Sequence, residues 1–394
     1  MASKRHRDDD NDDHRDDEGE TGDFAFAQTD LTPRPLRRRV PRNDSDTNSP
    51  SASIRSSASK LSSSKASSSK ASKVSRNSSP TKQFRNASIQ ETGFSRASFD
   101  DDERPKSLDA LTQTLWKINE GFGILPKGLQ DDLTGERVPE WMFGGKPGFE
   151  ASHLPGVQTV RKMLRLAKRC FQENLPESSW NNDVHSRVLE WVMRDSPSST
   201  DLLDYRCWHV PLLTAQTVSP YRPENAPSKM VDFCICVQPG QKSRQFNAIQ
   251  SLCVERPGLS INHTDWGDLT KYPIAVSIET KGPEQSYDAA LLQVATWHAS
   301  QWRSLLWERN PESTLEFLPG IIVIKHDWYF VATVRDDNGK ARTFERVPMG
   351  STETIPGIYK LSIALLTLLE WVRTEYWPAF QVDMLGFPAT DDAL

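Results

Sequence analysis

The sequence contains no run of 18 apolar residues, and its opening MASKRHRDDD has nothing of a secretory leader. These absences speak against an exported or membrane-spanning chain. The expectation is an intracellular protein of the nucleus or cytoplasm, with no membrane contact. Cysteine is scarce. Cys170, Cys207, Cys234, Cys236 and Cys253 are the full set, and no two are spaced C-x-x-C. A disulfide framework or a zinc knuckle is therefore not expected. Cys234 and Cys236 lie two apart in a strand-like run and share a face, where they are able to touch a metal. Flanked by apolar residues, they read first as reduced core thiols. In an intracellular chain the N-x-S/T matches at Asn77, Asn86 and Asn262 carry little meaning.

A periodic apolar pattern is missing from residues 1–107. Their Ser, Asp, Arg and Lys cannot repay the entropy of folding, and a disordered tail is expected. It holds an acidic block from Asp8 to Glu20 and a basic cluster, RPLRRRVPR, at 34–42. That cluster reads either as an import signal or as a solvated charge run. Ser49 to Pro80 is half serine with Lys spaced through it, a tether open to phosphorylation and to a protein partner. All twelve Trp lie from Trp116 onward, so residues 108–394 are able to bury a proper core.

From Leu108 the chain reads as alternating elements. Helices are expected at Leu108–Ile118 with Ser107 as cap, at Val157–Leu175, and at Trp180–Met193 with Asn182 as cap. The last carries His185 beside its apolar stripe and Glu190 away from it. Tyr205 to Leu213 and the run ending in Val237 read as strands. Phe246–Leu252 reads as a helical turn and Leu259–Asn262 as a short strand. A long helix should span Gln285–Arg309. Ile321–Lys325 and Trp328–Val334 should pair around a His326–Asp327 turn, before a strand at Arg342–Val347 and a helix at Ile358–Tyr376. This order fits an α/β fold, a mixed central β-sheet flanked by helices.

The most informative stretch is YPIAVSIETKGP, Tyr272 to Pro283. Ile274 to Ile278 is an apolar strand, stopped by Gly282 and Pro283. Strand side chains alternate, so Glu279 and Lys281 share a face and Thr280 takes the other. A buried carboxylate and ammonium at a strand end need partners or a metal. Upstream, MVDFCICV is a second apolar run interrupted by one carboxylate, Asp232. Asp232 and Glu279 are expected on neighbouring strands, sharing a divalent cation. Hard oxygen ligands select Mg2+ or Mn2+, and Lys281 would orient water or offset transition-state charge. Glu279 and Lys281 also read as a plain ion pair. Gln293, twelve residues beyond Lys281, is either a site residue holding water or phosphate or a surface glutamine.

Asp232, Glu279-Thr280-Lys281 and Gln293 together resemble the PD-(D/E)XK nuclease superfamily. The wider set resembles fungal proteins with a PD-(D/E)XK nuclease-like domain. It comprises the Trp180–His185 helix, SKMVDF, INHT, YPIAVSIETKG, LLQVATWHASQW, GIYKLS and WVRTEYWP, and spans roughly 110–385. The resemblance implies a restriction-endonuclease-like core in a domain at 108–394 with an N-terminal helical extension. It implies metal binding by Asp232 and Glu279, with the Thr280 carbonyl as a further ligand, and the lysine role for Lys281. Many members add a glutamate from the first core helix, for which Glu190 is the match, with His185 as support. Val231 replaces the usual proline before the aspartate. The 46 residues between Asp232 and Glu279 imply an insertion at Gln238–Lys271 that shapes a groove or caps the site.

Residues 108–394 carry a net charge of −7, a poor match to a nucleic-acid partner, which draws on phosphate contacts. Two sources of attraction remain. The tail at 34–86 has thirteen Lys or Arg against two Asp, and Arg161, Arg165, Arg169 and Arg222 would serve if the fold gathers them. The alternative is a nuclease-like scaffold without nuclease activity, binding a protein or small molecule.

Overall fold

The computed structural model describes residues 79–90, 93–100, 102–144, 151–207, 217–223, 230–282, 286–308 and 313–388. The chain divides into Met1–Lys70, outside these residues, and Ala71–Leu394, to which everything below refers. The described elements begin with α1 (Pro80–Ser88), β1 (Phe94–Ser98), α2 (Lys106–Glu120), β2 (Leu125–Pro126), β3 (Phe143–Gly144) and α3 (Val157–Gln172). Next come α4 (Glu177–Trp180) and α5 (Ser186–Glu190), run together and extended by the π-turns Asn181–His185 and Trp191–Asp195. Then follow β4 (Leu203–Cys207), β5 (Phe233–Val237), α6 (Arg244–Glu255), β6 (Ile274–Lys281) and α7 (Tyr287–Leu305). The chain closes with β7 (Phe317–Ile324), β8 (Asp327–Arg335), β9 (Ala341–Ser351), α8 (Ile355–Trp371) and α9 (Trp377–Leu385).

Seven strands form one sheet in the order β1-β9-β8-β7-β6-β5-β4. β1 with β9 and β6 with β7 are parallel, and the other neighbours are antiparallel. All eight residues of β6 are buried in mid-sheet, the apolar Ile274–Val276 and Ile278 together with the polar Ser277, Glu279, Thr280 and Lys281. α7 packs on β6 and β7, and α8 packs on β9. α7 comes close because Gly320 faces it: a Cβ there would stand 2.9 Å from the His298 ring. Gly350, at φ 144°, likewise lets the α8 backbone sit against β9. The helix spanning Ile355–Leu385 is long and apolar enough to cross a membrane, but 72% of an apolar 18-residue stretch of it is buried inside the protein. It packs as a core helix.

Several expectations shift. Residues 79–98, assigned to the tail, carry α1 and β1. Phe94 is buried against the Phe84 ring, and Arg96 pairs with Glu345 of β9. Five residues of mixed polarity are too few to announce an edge strand. Asn182 is not a cap, because the helix already begins at Glu177 behind Pro176. Lys325, at φ 55°, and His326 make the β7–β8 turn, one residue earlier than expected. Leu259–Asn262 forms no strand. Asn262 instead spends its side chain on backbone: its amide donates to the Leu269 and Tyr272 carbonyls and accepts from Ile274 N–H. The expected strand residues 208–213 lie outside the described residues. The 238–271 segment folds as α6 and short turns joining the end of β5 to the start of β6. That is the end of the strands away from Glu279, so it does not cap the site. Cys234 and Cys236 are fully buried, and burial pushes the Cys236 thiol up to about 12 and holds Cys234 well above the ordinary thiol range. They are core thiols, not metal-ready thiolates.

Candidate active site

The β5–β6 register builds the site. Phe233 pairs with Ile278 in antiparallel fashion, and Asp232 N–H donates to the Ile278 carbonyl at 3.0 Å. Asp232 thus stands across the ladder from Glu279. Its Oδ2 accepts from Thr280 N–H at 2.7 Å and from the Thr280 hydroxyl at 2.9 Å. These bonds fix the carboxylate beside the strand end. Glu279 is fully buried. Its Oε2 accepts from Gln293 Nε2 at 2.9 Å, and its Oε1 accepts from Lys281 Nζ. Lys281 Nζ also donates to the Thr280 carbonyl at 2.9 Å. Gln293 is delivered by α7, whose first turn is capped by Ser286, and it also donates to the Met230 carbonyl. Gln293 is therefore turned inward, bonded to Glu279, and not a solvated surface glutamine.

Burial raises the pKa of Glu279 well above the ordinary carboxylate range, and the neighbouring Asp232 pushes the same way. Asp232 is raised as well, chiefly by burial, against the pull of Thr280 N–H and Lys281. Burial opposes the Lys281 ammonium, yet Glu279, Asp232 and Glu177 outweigh it and leave its pKa raised. Three carboxyls converge on one ammonium. Without a further cation, the cheapest way to hold them is to keep a proton.

The third carboxyl is Glu177, which the sequence reading left outside its helix. Its Oε2 accepts from Gly282 N–H at 2.9 Å, directly beyond Lys281. Burial raises its pKa, with Lys281 opposing and Asp232 adding to the shift. Glu190, the expected helix glutamate, lies elsewhere: it pairs with Arg187 at 2.8 Å and is half-exposed. The two glutamates are thirteen residues apart on one helix, and only the start of that helix meets the strand end. A legible signal existed, since Pro followed by an acidic residue commonly opens a helix. His185 also stays out of the cluster. Its ring nitrogens bond Asn181 Oδ1 and the Lys325 carbonyl, each at 2.9 Å, between the Trp180 and Trp328 rings. Burial lowers its pKa to about 4. It is a neutral packing residue that ties the helix to the β7–β8 turn.

Among the described residues, no three His, Cys, Asp or Glu side chains form a ready-made metal site. The donor set nevertheless suits a hard cation. Glu279 Oε1 and the Thr280 carbonyl both coordinate a cation already, the Lys281 ammonium, with Asp232 beside them. These oxygens are of the hard kind that Mg2+ and Mn2+ select, and the residues that would hold such an ion are Asp232, Glu279 and the Thr280 carbonyl.

A mixed sheet flanked by helices, with an acid pair and a lysine where two central strands end, defines a restriction-endonuclease-like α/β protein. The family model of the PD-(D/E)XK nuclease superfamily matches residues 129–377. The chain belongs to that superfamily. No curated protein and no solved structure matches it.

Proposed function

We propose that the protein is a divalent-metal-dependent phosphodiesterase acting on DNA or RNA. The observation that carries this reading is the convergence of Asp232 and Glu279 from adjacent strands, with Lys281 bridging Glu279 and the Thr280 carbonyl. Asp232, Glu279 and the Thr280 carbonyl would hold Mg2+ or Mn2+. That ion, when bound, polarises a phosphoryl oxygen and sharpens a water as nucleophile. The protein's own groups do the rest. Thr280 N–H and hydroxyl lock Asp232 in place. Gln293 holds Glu279 from the α7 side and keeps the carboxylate aimed. Lys281, released from Glu279, keeps its positive charge and offsets the charge that builds on the phosphoryl oxygens. Glu177, rather than Glu190, is the helix glutamate placed to help bind or orient. The narrower likeness to fungal proteins, a nuclear or cytoplasmic location and a partner for the Ser-rich tail belong to the same reading.

The second reading is a silent scaffold for a protein or small-molecule partner. Its support is the acid excess of residues 108–394 and a lysine that already satisfies two of the intended metal ligands. A Mg2+-dependent cleavage assay on single-stranded, duplex and branched DNA and on RNA separates the two. The nuclease reading expects cleavage that falls at least ~100-fold in Glu279→Ala and Lys281→Ala. Failure to cut any of these substrates favours the scaffold.

A further inference from the structure

α3 carries Arg161, Lys162, Arg165, Lys168 and Arg169 and not one acidic residue. Its apolar side, from Val157 to Cys170, is buried in the core, so the cations point outward. Arg161, Arg165, Lys168 and Arg169 line an open groove of about 480 Å³ whose far wall includes Ile355, the first residue of α8. Two of the four are partly neutralised, Arg161 by Glu136 and Arg169 by Asp183. Among the described residues, Arg165 and Lys168 pair with no carboxylate, and both are exposed. Arg222 does not join them: it sits in the 217–223 segment, which packs on the far part of α7.

The groove lies at the same end of the sheet as the candidate active site. Lys281 is level with Ile324 at the ends of two parallel strands. The turn that follows places Lys325 Nζ 5.4 Å from the ring of Phe171, and the His326 ring 5.3 Å from it. Phe171 is in the last turn of α3 and is 54% exposed. His326 is bonded to Thr352, three residues before Ile355. Glu177 follows α3 by five residues and touches Gly282. From β6 to β9 is three strand spacings, about 15 Å, or roughly four nucleotide steps of a duplex.

We propose that the cationic face of α3 is the track along which the phosphate backbone of a nucleic-acid substrate runs away from the Asp232–Glu279 cluster. This rests on the nuclease reading above and adds to it where the polyanion lies. A membrane surface fits less well. An interfacial helix needs an outward apolar face to bury among acyl chains, and that face of α3 is occupied by the protein core. The track also answers the overall acidity, because phosphate contact needs a local stripe of positive charge, not a basic domain.

The test is fluorescence anisotropy of the full chain with labelled single-stranded DNA, duplex DNA and RNA, without divalent metal, over a salt series. The variant is Arg165→Glu/Lys168→Glu. A control of equal charge, Lys106→Glu/Lys242→Glu, lies at the other end of the sheet, since Ser107 contacts Glu316 before β7 and residue 242 follows β5. The expected result is at least ~10-fold weaker binding by the α3 variant and a salt slope reduced by about two, with the control within ~3-fold of wild type. If the charge-reversed protein does not fold, Arg165→Gln/Lys168→Gln should show the same loss of slope, about two, with a smaller loss of affinity. Wild-type binding with both variants equal overturns the track and leaves the nuclease reading standing. No binding of any nucleic acid by the wild type overturns both. Binding to phosphatidylserine vesicles instead, lost in the α3 variant, overturns the track in favour of a membrane.

Discussion

Glu279 has no water contact and shares its space with Asp232, so its charge is costly wherever no cation but Lys281 balances it. Its folded pKa is raised, so folding favours the protonated form. The stability it contributes is full below the ordinary glutamate pKa and is lost as pH rises through the raised value. Glu279→Gln should therefore raise the Tm of the metal-free protein at pH 8, by about 2–4 °C, and change it little near pH 4. Thermal melts in chelator at both pH values check this. A variant less stable than wild type at pH 8 would mean that the Lys281 pair outweighs the burial cost. Glu177 and Glu190 offer a second test. Glu177→Ala should lose ~10-fold or more of the cleavage rate, as substitution of outer-shell metal-site partners commonly does. Glu190→Ala should behave as wild type, because Glu190 pairs with Arg187 on the surface, away from the end of β6. Parallel rate measurements on the two variants decide which glutamate serves the site. Sequence alternation alone put Glu279 and Lys281 on one face and suggested Asp232 beside them. Choosing between two glutamates on one helix required knowing where the helix starts.

The elements legible from sequence were those with long, regular patterns. β6 and α7 stood out because one opens on the apolar run Ile274–Ile278 and the other spans five turns. Elements set by distant partners did not. β1 is FSRAS, five residues whose meaning comes from β9 beside it. Glu177–Asp195 continues through two π-turns, which shift the apolar stripe and blur the 3.6-residue period used to place its start. β1 makes a direct prediction. Phe94 is buried against Phe84 at the sheet edge, so Phe94→Ala should cost about 3–5 kcal/mol, read from the urea midpoint. A cost under about 1 kcal/mol would mean that β1 is not part of the stable core. Glu345 would then also be free to leave Arg96.

At the scale of the molecule, three of the described histidines, His185, His263 and His298, are fully buried and bear on behaviour in acid. Burial lowers His185 to about 4 and His263 and His298 to about 3. All three fold neutral. Their contribution is complete above the free histidine pKa of about 6.5 and is lost as pH falls through these depressed values. Chemical denaturation should show stability falling steadily below about pH 6.5, with the fall less steep in His263→Phe. His263 lies 4.1 Å from the Trp297 ring and bonds no partner through either nitrogen among the described residues. A pH profile flat down to pH 4 would show that these rings are not buried in solution. The carboxyl cluster is also held on the protonated side by burial, and a bound cation would displace those protons. The most direct measurement is Mn2+ binding to the full chain by electron paramagnetic resonance near pH 7.5, with Mg2+ as competitor. Binding of one ion, displaced by Mg2+ and lost in both Asp232→Asn and Glu279→Gln, is the expected result. No binding by the wild type, or equal binding by the variants, would contradict a shared cation at the ends of β5 and β6.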